Sequence, residues 1–210
     1  MTELIVIRHG ETDLNRVGSF QGQIDVALNE HGLRQAQRLA QRLAGEPFDV
    51  IYASDLLRTQ QTAEPLARQL SLTINPVIGL REQHFGELEG RTLASVQQES
   101  PELWESWLLF QADFSVPGGE SVRQFSARIL STVFGLAEHH QGQRLLLVAH
   151  GGVLDMLYRH AKGFSLDGPR LCAIPNTGIN RLTVEDDDIR ITVWGDDAHC
   201  AIASSTPKRR

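Results

Sequence analysis

The chain has 210 residues, 41% hydrophobic and 22% charged, with a net charge of −6. That is the composition of a water-soluble globular protein. The negative balance argues against nucleic-acid binding through a basic face, and no apolar run approaches the roughly eighteen residues a membrane span needs.

The first predicted element is a strand over Leu4-Ile5-Val6-Ile7, four apolar residues of which three are β-branched, the pattern of a strand buried on both faces. It begins almost at the N-terminus, which leaves no room for a signal peptide. It ends at Arg8-His9-Gly10, where a guanidinium and an imidazole meet a loop. Ligands of open parallel sheets collect at the carboxyl ends of strands, so these two side chains are placed for a site. Arginine offers a permanent charge and a planar fork suited to phosphate oxygens, and a neutral histidine is a nucleophile near pH 7.

Asn15 to Gln23 reads as a polar, glycine-punctuated loop. A helix then opens at the N-cap Asn29, carries Leu33, Ala36, Leu39, Ala40 and Leu43 on one face, and stops at Gly45 and Pro47. A short strand over Asp49–Ser54 follows, then a helix over Leu56–Leu70 that Pro65 should interrupt or bend. Leu72–Ile78 is a third strand candidate, weakened by Pro76.

The segment from Gly79 to Gly119 has no clear period. Ser100-Pro101-Glu102 marks a helix start, and Trp104, Trp107 and Phe110 follow as either core or a lid over the site. After the turn Pro117–Ser121, a long amphipathic helix runs from Val122 to His140. Leu145-Leu146-Leu147-Val148-Ala149 is a second buried strand that ends in His150-Gly151-Gly152 and leads into a helix over Val153–His160. Two strands that each deliver a histidine at the same end can bring the imidazoles together above one sheet. Thr177–Val184 and Ile189–Trp194 form a hairpin around a solvated acidic turn, and Ala198 to Arg210 reads as a frayed tail. Strands alternating with helices predict one α/β domain over residues 1–200, with 201–210 a disordered tail. Cys172 and Cys200 lack metal-type spacing, as expected of free thiols in a reduced, cytoplasmic chain.

No Walker loop, Gly-x-Ser-x-Gly elbow, His-Glu-x-x-His or Cys-x-x-Cys is present. What remains is a set of strand-end cations: Arg8, His9, His150 and Arg58, the last just after the second strand. Several carboxylates could serve them: Glu11, Glu82, Glu87 and Glu89. Phosphoryl transfer is mainly positioning and charge neutralisation, which two arginines and a second imidazole can supply. The leaving oxygen needs a proton that a carboxyl can give. The residue chemistry alone does not choose among the four.

Five motifs resemble the histidine phosphatase superfamily, the phosphoglycerate-mutase-like proteins. They are Arg8-His9-Gly10-Glu11-Thr12 with Asn15 and Gln21-Gly22; Ser54 to Ala63; Glu82-x-x-Phe85-Gly86-x-x-Glu89-Gly90; Pro117–Ser121; and Val148–Gly152. The resemblance runs in order from about residue 3 to residue 184. It implies a three-layer α/β/α sandwich on a mixed, mainly parallel sheet of about six strands. It implies His9 as the phosphorylated nucleophile, Arg8, Arg58 and His150 holding the phosphoryl group, and Glu82 as proton donor. Asn15, Gln21, Gly22 and Gly151 would line the substrate pocket.

A mutase needs extra cations for a second phosphate. The stretch Gln83–Ala149 holds only Arg91, Arg123, Arg128 and Arg144, never adjacent, and no lysine. The expectation is therefore a phosphomonoester hydrolase for a small phosphorylated metabolite, with no metal and no cofactor. The alternatives are a cofactor-dependent phosphoglycerate mutase, a fructose-2,6-bisphosphatase, or a non-catalytic binding protein on the same scaffold. A homodimer is compatible with the sequence, and neither nucleic acid nor membrane is expected as a partner.

Overall fold

The computed structural model describes residues 1–201. Among them, six strands form one sheet: β1 (Thr2–Arg8), β2 (Val50–Ala53), β3 (Ile74–Pro76), β4 (Arg144–Ala149), β5 (Ile179–Glu185) and β6 (Asp188–Asp196), in the order β3-β2-β4-β1-β5-β6. β3, β2, β4 and β1 are mutually parallel, and β5 runs antiparallel to both β1 and β6. The helices are α1 (Asp13–Arg16), α2 (Glu30–Leu43), α3 (Leu57–Leu70), α4 (Leu93–Glu99), α5 (Pro101–Leu108), α6 (Val122–His139) and α7 (Gly151–Lys162).

The apolar runs of β1 and β4 face both layers, because successive strand residues point to opposite faces. Leu4, Val6, Leu145 and Leu147 pack with α6 and α7, while Ile5, Ile7, Leu146 and Val148 pack with α2 and α3. The result is the expected three-layer α/β/α sandwich with a mixed sheet. No helix among the described residues is long and apolar enough to cross a membrane.

Several expectations are corrected. β3 covers only three residues, since Pro76 brings no donor and is tolerated on an edge strand. α3 is continuous through Pro65, so the interruption that is the alternative to a bend is absent. The predicted loop after β1 holds α1, which is closed by a reciprocal Thr12–Asn15 capping box. α7 begins two residues early, at Gly151. Ala198–Cys200 is not frayed: it forms a helical turn, and the Cys200 carbonyl accepts from Arg38 Nη1 at 3.0 Å. Residues 202–210, most of the predicted tail, lie outside the described residues.

The excursion between β3 and α6 packs onto Phe20, from the loop after α1, to build a third apolar cluster with Leu88, Val96 and Val116, on which Phe85, Trp104, Trp107 and Phe114 are packed. It stands beside the end of the sheet that carries the two histidines, because Phe20 and Phe85 also line the cavity next to His9.

Candidate active site

The parallel register pairs Arg8 with Ala149, and His9 N donates to Ala149 O at 2.9 Å. His9 and His150 therefore leave neighbouring strands at the same level. Their rings meet edge to face with centroids 5.3 Å apart. His9 Nδ1 donates to the Gly10 carbonyl at 2.7 Å, which fixes the proton on Nδ1 and leaves the lone pair on Nε2. The strand end is held by side chains from elsewhere: Asn176 Nδ2 donates to His9 O, and Gly10 N donates to Thr62 Oγ1.

Arg58 is fully buried in the first turn of α3. Its Nη1 donates to Ile24 O, its Nη2 to Gly22 O, and its Nε to His150 Nδ1 at 3.3 Å. One N–H on each terminal nitrogen stays free of these bonds. Because His150 accepts on Nδ1, its proton sits on Nε2, which is buried and has no partner. Arg8 donates through Nη1 to Ile174 O, and its Nε is likewise buried and unpaired. A buried donor without an acceptor is costly, so both groups suit an anion that enters the site.

The electrostatics agree. Burial first, then the Arg58 guanidinium, hold His9 well below the ordinary histidine value, with Arg8 adding to the effect. The same causes, burial and then Arg58, depress His150. Both imidazoles are neutral at physiological pH. Burial lowers Arg58 to about 10, partly countered by Glu82 and Asp25, so it remains a cation.

Arg8, His9, Asn15, Gln21, Gly22, Arg58 and Glu82 all border one cavity of about 170 Å³. His150 and Gly151 are not among the residues that border it: His150 is fully buried with its ring beside that of His9, which does, and Gly151 is the buried first residue of α7. Gly22 sits at φ +49, and any Cβ there would collide with Glu89 Oε1. Of the four candidate carboxylates, Glu82 alone reaches this cavity. Glu11 accepts from Asn29, Glu89 accepts from Gln23 N and Phe85 N, and Glu87 is exposed. Glu82 Oε2 accepts from Gly152 N in the first turn of α7 at 3.0 Å, and Oε1 from Gln83 N at 2.9 Å.

Sequence reasoning misses Arg170, which borders this cavity and also a larger neighbour of about 450 Å³. Glu82 and Phe85 line both. The larger cavity is walled by Trp107, Phe110, Phe114, Phe125 and Met156, among others. Trp107 is thus both packed in the third cluster, at 5.1 Å from Phe20, and part of a cavity wall. Among the described residues no group of three or more His, Cys, Asp or Glu is arranged to hold a metal ion.

Comparison with known proteins was made against this geometry. The family model for the histidine phosphatase superfamily (branch 1) matches residues 4–197. The "metal-independent phosphoserine phosphatase" of Arabidopsis thaliana is 36% identical over 202 residues, covering 95% of this chain and 83% of its own length. The "probable phosphoglycerate mutase GpmB" of Yersinia pestis is 33% identical over 205 residues, 95% of each chain. The solved structure of Bacillus stearothermophilus YhfR superposes with a TM-score of 0.87 at 30% identity, covering 96% of this chain and 100% of that one. Motifs, fold and relatives agree: this chain belongs to branch 1 of the histidine phosphatase superfamily, a family of phosphatases and mutases.

Proposed function

We propose that the chain is a phosphomonoester hydrolase that works through a phosphohistidine on His9, without a metal ion, on a small phosphorylated metabolite. The observation that carries this reading is the fixed Nε2 lone pair of a neutral His9 beside two unpaired buried donors, Arg8 Nε and His150 Nε2.

In the first step His9 Nε2 attacks phosphorus as the bond to the leaving oxygen breaks. Arg8, the free N–H groups of Arg58 and His150 Nε2–H neutralise charge on the equatorial oxygens. Glu82, held by the Gly152 amide, gives its proton to the leaving oxygen, so the departing group is an alcohol. In the second step Glu82 takes a proton from water, the hydroxyl attacks phosphorus, and the bond to Nε2 breaks to release phosphate. Asn15, Gln21 and Gly22 shape the cavity around the phosphoryl group, and Gly151 begins the helix that positions Glu82. We read residues 1–200 as one catalytic domain.

Hydrolysis is favoured over mutase chemistry by the fate of the remaining cations. Arg91 pairs with Glu99, Arg123 with Asp113, Arg128 with Glu120, and Arg144 with Glu3 and Glu46. None of these four, the only cations between Gln83 and Ala149, is free to hold a second phosphate. The name of the Arabidopsis relative, a metal-independent phosphatase, supports the same reading.

The test is phosphate release from a panel of alkyl phosphates and nitrophenyl phosphate in excess chelator, with wild type and Glu82→Gln. Wild type is expected to turn over in chelator. Glu82→Gln should lose roughly 10²–10⁴-fold on alkyl substrates and far less in single-turnover phosphorylation by nitrophenyl phosphate, whose anion leaves unaided. Equal losses on both would remove Glu82 as the acid, and activity restored only by a divalent ion would contradict the mechanism.

A further inference from the structure

The turn Pro117–Ser121 and the helix α6 that it opens take no part in the chemistry above, yet both lean on the acid. Glu82 stands in the stretch 81–85, which belongs to no helix or strand, so no ladder of backbone bonds fixes its main chain. Arg128 of α6 holds it instead. Its Nη1 donates to the carbonyls of Gly79 and Arg81, each at 3.0 Å, and its Nη2 donates to Glu82 O at 3.2 Å. Nε and the second Nη2 hydrogen go to the Glu120 carboxylate. All five N–H donors of the guanidinium are thus used, and three of them hold carbonyls at or just before the acid.

Glu120 grips the other side. Its Oε1 also accepts from His84 N at 3.0 Å, its own N donates to His84 O at 2.9 Å, and its carbonyl accepts from Gln83 Nε2 at 3.0 Å. The turn comes so close that a Cβ on Gly119 would stand 2.6 Å from His84 O, and one on Gly86 2.1 Å from Pro117 O. The ion pair therefore spans Glu82, with the arginine before it and the carboxylate after it. A pair that only fastened α6 to its own turn would leave the carbonyls of residues 79, 81 and 82 to other partners. Arg128 is not among the residues that border either cavity, so it acts on substrate only through another group.

We propose that Arg128, braced by Glu120, is a positioning residue for proton transfer. The pair fixes the main chain of Glu82 so that its carboxyl, anchored on Gly152 N, is aimed at the leaving oxygen. The planar, five-donor fork suits this task, because one rigid group can tie three carbonyls and a carboxylate at once. The inference rests on the hydrolase reading above, in which Glu82 is the acid, and extends it to the residues that aim that acid.

The experiment is a double-mutant cycle on single-turnover phosphorylation of His9, with glycerol 2-phosphate and nitrophenyl phosphate as the two donors. The variants are Arg128→Met, Arg128→Lys and each of them combined with Glu82→Gln. Arg128→Met should slow phosphorylation by glycerol 2-phosphate roughly 10- to 100-fold, the scale of an ångström-sized misplacement. Nitrophenyl phosphate, whose anion leaves unaided, should stay within about threefold of wild type, and half-saturating concentrations should not move. Arg128→Lys keeps the charge but has only three donors, so it should lose about 5- to 10-fold on glycerol 2-phosphate. In the Glu82→Gln background either substitution should cost less than about threefold, since a side chain with no proton to give need not be aimed. Should Arg128→Met fail to fold, Arg128→Lys is read by the same criteria. Equal losses on both donors, losses that add fully to those of Glu82→Gln, or no loss on glycerol 2-phosphate would each overturn the inference alone. Equal losses on both donors in Glu82→Gln itself would contradict Glu82 as the acid, and this inference with it.

Discussion

At the residue scale, the two imidazoles set how the protein responds to acid. Buried beside Arg58 and Arg8, His9 and His150 have folded pKa values below those of the unfolded chain, where histidine titrates near 6.5. Below that pH the unfolded state binds more protons than the folded one, so stability rises with pH in this window and levels off above it. Each histidine contributes a slope of up to about 1.4 kcal/mol per pH unit from near pH 6.5 downward, until its folded pKa is reached. Glu46 and Asp55, whose carboxyl values are lowered by ion pairs with Arg181 and Arg81, lose their contributions only in stronger acid. Denaturant midpoints of wild type should therefore fall between pH 6.5 and 5. His150→Gln should show a shallower fall, although His199 keeps a smaller share because burial also depresses it. A flat wild-type profile would contradict the buried, neutral pair.

At the scale of elements, the start of α7 does two things: it follows His150 directly and supplies the amide that holds Glu82. Gly152 is glycine for a steric reason, since a Cβ would collide with Glu82 Oε1 and lie 2.8 Å from Phe125 Cε1. Gly152→Ala should displace the carboxyl and cost roughly 10- to 100-fold in kcat/KM on alkyl phosphates, the scale of an ångström-sized misplacement. Single-turnover phosphorylation by nitrophenyl phosphate should be affected much less. Loss of thermal stability with both rates intact would leave Gly152 a packing residue only.

The elements also show what sequence reading reaches. β1 and β4 are legible because strands buried on both faces leave continuous apolar runs, and His9 and His150 are legible with them. α4 is hidden because only Val96 of its seven residues is buried, so no stripe forms. Arg170 is hidden for another reason. Four carbonyl bonds from Arg159 place it, and no local spacing records a contact of that kind. The choice of Glu82 among four carboxylates rests on resemblance in the sequence. In the structure, contacts separate them: Glu11 and Glu89 are spent on their neighbours, and Glu82 borders the cavity.

At the scale of the molecule, the sheet order carries the account. β1 and β4 are far apart in the chain yet adjacent in the sheet, so residues after each strand meet at one edge. α2 and α3 cover one face and α6 and α7 the other, which leaves that edge as the place where cations, an acid and two joined cavities converge. The central claim is covalent transfer of phosphate to His9. Its most direct measurement is intact-mass and peptide analysis of enzyme quenched in alkali during turnover of nitrophenyl phosphate. The account predicts one acid-labile phosphoryl group, located on His9, absent from His9→Ala, whose turnover collapses. Near wild-type turnover by His9→Ala, or a phosphoryl group trapped on another residue, would contradict it.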